Sequence, residues 1–424
     1  MALDKVTVGV LADNAVSTAK VADDAVTGAK IENNPTVAGN LTVSGTSTLT
    51  GNTTASGNVT VAGDFVPSEP LSNRNMIING GMQVWQRATS AVTATTTYDT
   101  ADRWRFYDPS SGSFTSEKHT MSAAELNTTG HRNALKLACT GVSSAGSGDH
   151  AYFYQALEGQ DCQKLQYGTA NAKSVTISFW VKSSITGTYC ISVYADAATN
   201  YQVAKEYTIS SADTWEYKTI TITPTEGSTS LITSSGGLFD NNTSQAFLLY
   251  FFLVSGSAIE GTANEWGTGG TRYATSNQVN WLSNTSNTFY ITGIQLEVGS
   301  NATPFEHRMY GDELARCQRY YQRIGDGWRA CIGSGSVGAW GCQLPVPISM
   351  RATPTMTATT TWYHTTYNTY TNTAHTTLAL SSIEYEEGWG CLRYNIGSCS
   401  SGSYHDNYIG ALYNDSDVIL SAEL

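Results

Sequence analysis

Apolar and polar residues alternate along most of this chain, and an alternation of period two marks extended strands, whose successive side chains point to opposite faces. The pattern predicts strands at 174–183 (SVTISFWVKS), 188–195 (TYCISVYA), 216–224 (EYKTITITP), 246–254 (AFLLYFFLV) and 288–298 (TFYITGIQLEV). Turn-forming residues separate them, and no long helical period intervenes. Two antiparallel sheets packed as a sandwich or jelly roll follow as the economical architecture for about 74–310. The predicted fold class is therefore all-β.

A stricter pattern occupies residues 39–65, GNLTVSGTSTLTGNTTASGNVTVAGDF, where glycine recurs at 39, 45, 51, 57 and 63. Leu41, Val43, Leu49, Val59, Val61 and Phe65 share one parity, and Asn, Thr and Ser fill the other. Short β segments with one apolar face follow, bent where glycine removes a side chain. Too few hexads are present to stack into a self-sufficient helix of coils, because repeat units need neighbours to cover their faces. Identical chains around a symmetry axis would cover that face, and three copies is the expected number. A flexible Gly/Ser/Thr linker is the alternative.

Ahead of the hexads, LADNAVSTAK (11–20) and VADDAVTGAK (21–30) form a direct ten-residue repeat. Its alanine spacing suits a narrow helical seam, and its Val and Thr content suits short strands; both readings stay open. Residues 1–73 contain no Arg, Trp, Tyr, His or Cys, so this part is thin and the remainder globular. Residues 311–323, GDELARCQRYYQR, form the one predicted helix, with Asp312 as N-cap and Leu314, Cys317 and Tyr321 on one face. It connects the sandwich to a second β-rich unit. The expected divisions are an attachment segment at 1–37, a shaft at 38–69, a sandwich at 70–310 and a tip at 311–424.

Composition narrows the function. Only 14% of the 424 residues are charged, and the net charge of −12 disfavours nucleic acid, which needs clustered Lys and Arg. No signal peptide pattern opens the chain, and no stretch of 18 apolar residues predicts membrane insertion. The eight cysteines (139, 162, 190, 317, 331, 342, 391, 399) show no zinc-ligand spacing and read as small buried thiols of a protein assembled in a reducing cytoplasm.

Several stretches together carry a resemblance. NRNMIINGGMQVWQR (73–87), TADRWRFYD (100–108), FYITGIQLEVGSNATPFEHRMYGDELARCQRYYQR (289–323) and PVPISMRATPTMT (345–357) resemble a family of bacteriophage tail-fibre and related receptor-binding proteins. The ADNAV…AK repeats and the glycine hexads resemble the shafts of such fibres. The resemblance implies a homotrimeric virion fibre whose amino end docks on a tail or head protein of the particle. It also implies a β-rich carboxyl region that meets the host. It brings no catalytic residues; no cofactor and no metal are expected.

Residues 311–424 hold ten Tyr and four Trp but no Phe, and aromatics with a polar handle suit an exposed recognition surface. Trp362, Tyr363, His364, Tyr367, Tyr370, Trp389, Tyr394, Tyr404 and Tyr408 are the expected receptor surface, stacking on the C–H faces of a host glycan. Other chemistry is weaker. GSGSVG at 333–338 matches a dinucleotide fingerprint by letter, yet a strand-like AWGCQLPVPISM follows where a helix is required. Glu384, Glu386 and Glu387, with Asp406 beside His405, are the carboxylates available for a depolymerase, and a solvated acidic strand edge explains them equally well. His364, His375 and His405 lack the short spacing of a metal ring. The expected function is adhesion of a virion fibre to a host-surface glycan, without enzymatic activity. A head fibre with no receptor role and a tailspike depolymerase are the alternatives.

Overall fold

A computed structural model describes residues 40–43, 46–47, 72–268, 273–325, 327–333, 340–358, 362–366, 369–375, 379–386, 391–397, 409–414 and 418–424. The chain divides into two compact units, Met1–Val66 and Pro67–Leu424. In the first, Leu41 and Val43 are exposed at 73% and 51%. The other expected shaft residues, Leu49, Val59, Val61 and Phe65, and the ten-residue repeats lie outside the described residues.

The second unit begins with twelve strands: β1 (Val92–Thr93), β2 (Arg105–Tyr107), β3 (Ser113–Thr120), β4 (Asn133–Gly141), β5 (His150–Glu158) and β6 (Val175–Ser183), then β7 (Gly187–Ala195), β8 (Tyr201–Ile209), β9 (Glu216–Ile222), β10 (Gln245–Ser255), β11 (Gly267–Thr268) and β12 (Thr288–Val298). They form two six-stranded antiparallel sheets, ordered β1-β3-β4-β12-β6-β9 and β11-β8-β7-β10-β5-β2. All five strands expected from the sequence are present, within two residues at either end.

Inward residues of both sheets make one core. Phe153 of β5 and Phe251 of β10 stack at 5.0 Å, and Trp104 meets both edge-on at 5.9 and 6.1 Å. Phe179, Phe289, Phe114 and Trp281 continue the layer, all fully buried. Each such ring contributes about 1.5–3 kcal/mol on burial, and Phe251→Ala would cost about 3–5 kcal/mol. At Gly293 the β12 ladder shifts register; its φ of +63 and a His131 ring only 2.4 Å from where a Cβ would stand require glycine.

Among the described residues, three α-helical segments accompany the sheets rather than the single one expected. The first, α1 (Ala123–Thr129), is short but fully capped: Ser122 and Glu125 exchange a capping box, and Gly130 closes it at φ +75. The second, α2 (Gly159–Cys162), is one turn. The third, α3 (Tyr310–Gln318), corrects the expected helix at both ends. Its N-cap position is Met309, and Asp312 sits inside the first turn, where its charge favours the helix dipole. It stops at Gln318 because the next residues enter a sheet. Leu314 and Cys317 pack with Ile78, Val84 and Tyr320, so Tyr320 takes the place expected of Tyr321.

That sheet has three strands: β13 (Tyr321–Ile324), then β16 (Thr355–Ala358) and β22 (Val418–Ser421), with β22 in the middle. Seven more strands, β14 (Gly327–Gly333), β15 (Trp340–Pro345), β17 (Trp362–Thr366), β18 (Thr369–His375), β19 (Ala379–Glu386), β20 (Cys391–Gly397) and β21 (Ile409–Asn414), form an antiparallel sheet ordered β18-β17-β21-β14-β15-β20-β19. Ile324, Val418 and Ala358 are cross-strand partners, so the seven-stranded sheet is entered and left along one row of backbone.

The segments that carry the family resemblance converge on a buried polar clasp. Arg87 bonds Asp102 and Glu423, each at 2.6 Å, and Arg103 pairs with Glu423 while its guanidinium lies 3.4 Å from the Tyr320 ring. Glu158 accepts from Arg319 and Tyr320; Arg351 donates to the carbonyls of Ala422, Glu423 and Thr243. The Gln155 side chain takes both backbone bonds of Ile78. Burial pushes the Asp102 carboxyl up to about 6 against the pull of Arg87. These motifs are thus the joint between the amino end of the unit, the sandwich and the carboxyl terminus.

Candidate functional site

The outward face of the second sheet is the most distinctive surface among the described residues. On β5 the even positions His150, Tyr152 and Tyr154 point away from the core, since Ala151 and Phe153 belong to it. Register then sets Tyr107 of β2 opposite Tyr152, Tyr250 of β10 opposite Tyr154, and Phe252 opposite Tyr152. Cross-strand pairing therefore gathers the rings.

Their geometry is that of a ladder. Tyr107, His150 and Tyr152 stack nearly parallel, with centroids 5.1–5.8 Å apart and planes 17–28° apart. Tyr152 stands edge-on to Tyr250 at 5.1 Å, and Tyr250 lies 5.0 Å from Tyr154. The segment after β10 folds back over this face through isolated bridges at Glu260–Ala274, Ala204–Ala263 and Thr188–Gln278. It lays Tyr273 5.8 Å from Tyr250 and 6.4 Å from Tyr194. On this face Cys190, Phe252 and Ala274 are buried, whereas Tyr107, His150, Tyr152, Tyr194 and Tyr273 are half-buried and present ring edges and hydroxyls.

Electrically the face is quiet. Burial raises the Tyr152, Tyr154, Tyr250 and Tyr273 phenols above their ordinary range and Tyr194 to about 12, so all remain neutral O–H groups at physiological pH. Arg105 approaches the Tyr154 ring at 5.8 Å. Glu206 is taken up by Thr275 and Asn277, and Glu260 accepts from Ser255. Such a surface offers apolar ring edges with donor and acceptor hydroxyls and little charge, which suits polyhydroxylated neutral ligands.

None of these residues was singled out from the sequence. The alternating rings of HAYFYQALE were a readable signal, but strand patterning alone does not say which face the rest of the chain covers. The expected receptor surface lies elsewhere. Trp362, Tyr363 and His364 fall on β17, where Trp362 pairs with His375 and Asn414, and Tyr363 with Ala374 and Tyr413. Tyr370 falls on β18, and Tyr394 on β20 opposite Cys342 and Ile383. Tyr367, Trp389, Tyr404 and Tyr408 lie outside the described residues, as do Glu387, His405 and Asp406. Glu384 and Glu386 are on strand β19, opposite Arg393 and Cys391. Of GSGSVG at 333–338, Gly333 ends β14 and pairs with Trp340 of β15, and 334–338 lie outside the described residues.

Cys139, Cys162, Cys190 and Cys317 are free and buried, as expected of idle thiols. Among the described residues no cluster of three or more His, Cys, Asp or Glu gathers to hold a metal, and no helix is long and apolar enough to cross a membrane.

No protein-family model and no curated protein sequence matches the chain. Among solved structures it is similar to a candidate sugar-binding protein of Bacteroides thetaiotaomicron, at 13% identity and a TM-score of 0.30, over 53% of this chain and 100% of that one. It is also similar to the enzymatically active domain of tailspike protein 4 of bacteriophage CBA120, at 10% identity and a TM-score of 0.26, over 53% of this chain and 21% of that one. A third is TmCBM61 in complex with β-1,4-galactotriose, at 10% identity and a TM-score of 0.25, over 53% of this chain and 99% of that one.

Proposed function

We propose that this chain is a virion fibre protein that attaches a phage to its bacterial host by binding a cell-surface glycan. The observation that carries the reading is the tyrosine ladder on the outward face of the second sheet, with neutral hydroxyls beside stacked rings and few charges nearby. A pyranose laid across such ring edges buries its C–H face against them and exchanges hydroxyl hydrogen bonds, giving single-site affinities near the millimolar level, about −4 kcal/mol. Three copies in a homotrimer, and several fibres on a particle, multiply such contacts into firm attachment. The exposure of Leu41 and Val43 in the hexad segment supports that assembly, which would cover them.

In this reading the amino-terminal repeats dock on a tail or head protein, and attachment needs no covalent chemistry. The tip residues Trp362, Tyr363, His364, Tyr367, Tyr370, Trp389, Tyr394, Tyr404 and Tyr408 are the second candidate for contact with the host. The ladder carries the reading because its rings are gathered on one face. The test is binding of fluorescently labelled full-length protein to host cells. Tyr107→Ala with Tyr152→Ala should lower binding at least tenfold, and Trp362→Ala with Tyr363→Ala should lower it further. Unchanged binding in both variants would sink the proposal.

A further inference from the structure

A second, separate cleft opens between residues 163–171, which follow α2, and Leu238–Phe239, which precede β10. It encloses about 300 Å3 and is lined by Cys162, Gln163, Gln166, Tyr167, Thr169, Asn171, Leu238 and Phe239. We propose that this cleft binds one neutral pyranose residue, independently of the tyrosine ladder.

The volume lies at the lower end of the range for small-ligand sites. Its inner wall is apolar and fixed: Tyr167 and Phe239 are buried with ring centroids 5.5 Å apart, and Trp266 backs Tyr167 at 6.2 Å. The rim is polar and open, with Gln163, Gln166, Thr169 and Asn171 exposed. Leu238 is exposed at 52% beside them, an apolar contact for a sugar's C–H face or methyl substituent. Gly168 sets the width. Its φ is +82, and a Cβ there would stand 2.5 Å from the Leu238 backbone, so only glycine lets the two walls touch.

Two features select the ligand class. No charged side chain lines the cleft, so a carboxylate or phosphate would lose its hydration without a counter-charge. The rim side chains Gln163, Gln166, Thr169 and Asn171 supply neutral donors and acceptors instead. Amide and hydroxyl groups above an aromatic and aliphatic floor are the complement of a neutral sugar.

The full-length protein is titrated with glucose, galactose and N-acetylglucosamine, followed by ligand-observed NMR, with glucuronic acid as the charged counterpart. At least one neutral sugar should bind with a millimolar Kd, and glucuronic acid should bind at least tenfold more weakly. Gln166→Ala with Asn171→Ala should weaken the neutral sugar at least fivefold. Absence of binding by all three neutral sugars, tighter binding of glucuronic acid, or binding indifferent to Gln166→Ala with Asn171→Ala overturns the inference. The titrations are carried out in the Tyr107→Ala, Tyr152→Ala variant, in which the ladder no longer contributes, so failure of either site is read apart from the other.

Discussion

Glu423 is the second residue from the carboxyl end of the chain, yet it holds two arginines of the amino-terminal part of the unit. Its side chain is 7% exposed, against 9% for Arg87 and 0% for Arg103. An exposed ion pair contributes about 0.2–1 kcal/mol, whereas breaking a buried one costs about 3–5 kcal/mol, because the abandoned charge stays in a poorly hydrated site. Burial decides for the larger figure. Arg103 keeps a bond to the Ala156 carbonyl at 2.7 Å and the Tyr320 ring beneath it, which offsets part of the loss. Glu423→Ala should therefore cost about 3 kcal/mol in guanidinium unfolding followed by tryptophan fluorescence, with an unchanged slope. Adding Arg103→Met removes the stranded charge, so the double variant should be more stable than the sum of the two single losses predicts. A loss below about 1 kcal/mol, or strict additivity, would show that the clasp does not hold the carboxyl terminus in place.

Other outcomes follow from the same structure. Burial and His307 hold His131 down at about 4, below its unfolded value near 6.5, so the folded state binds that proton more weakly. Its contribution is intact above pH 6.5 and falls by about 3 kcal/mol as the pH drops to 4. Asp102, raised to about 6, works in the opposite sense over part of that window, gaining stability as it is protonated. His131→Asn should flatten the loss of stability between pH 6.5 and 4, and an unchanged profile would count against this assignment. Excising 359–417 and joining Ala358 to Val418, which are cross-strand partners, by a short turn should leave a folded, cooperatively melting unit. Truncation after residue 310 should unfold it, because that removes Glu423 and the central strand β22; circular dichroism distinguishes the two.

Sequence patterning located the sandwich strands closely because parity and apolar runs are local properties. The overrun of α3 into 319–323 has a non-local cause: RYYQR is acceptable as helix, but β22 supplies a backbone ladder for Tyr321–Ile324 from nearly a hundred residues away. The helix α1 was missed although SAAE carries its capping box, because seven residues show too little of a helical period. The tyrosine ladder was invisible for another reason. HAYFYQALE and AFLLYFFLV present rings on both faces, and only the folded chain separates Phe153 and Phe251, inside, from Tyr152 and Tyr250, outside. Aromatic richness at the carboxyl end points to the tip, and there the signal is composition rather than placement.

The central claim is attachment through a glycan, and the most direct measurement compares binding of the full-length protein to host cells before and after mild periodate oxidation, which opens the rings of sugars bearing vicinal diols. The account predicts that oxidation abolishes binding, and that Tyr107→Ala with Tyr152→Ala reproduces much of that loss on untreated cells. Undiminished binding to oxidised cells, with protease treatment removing it instead, would contradict the account and point to a protein receptor.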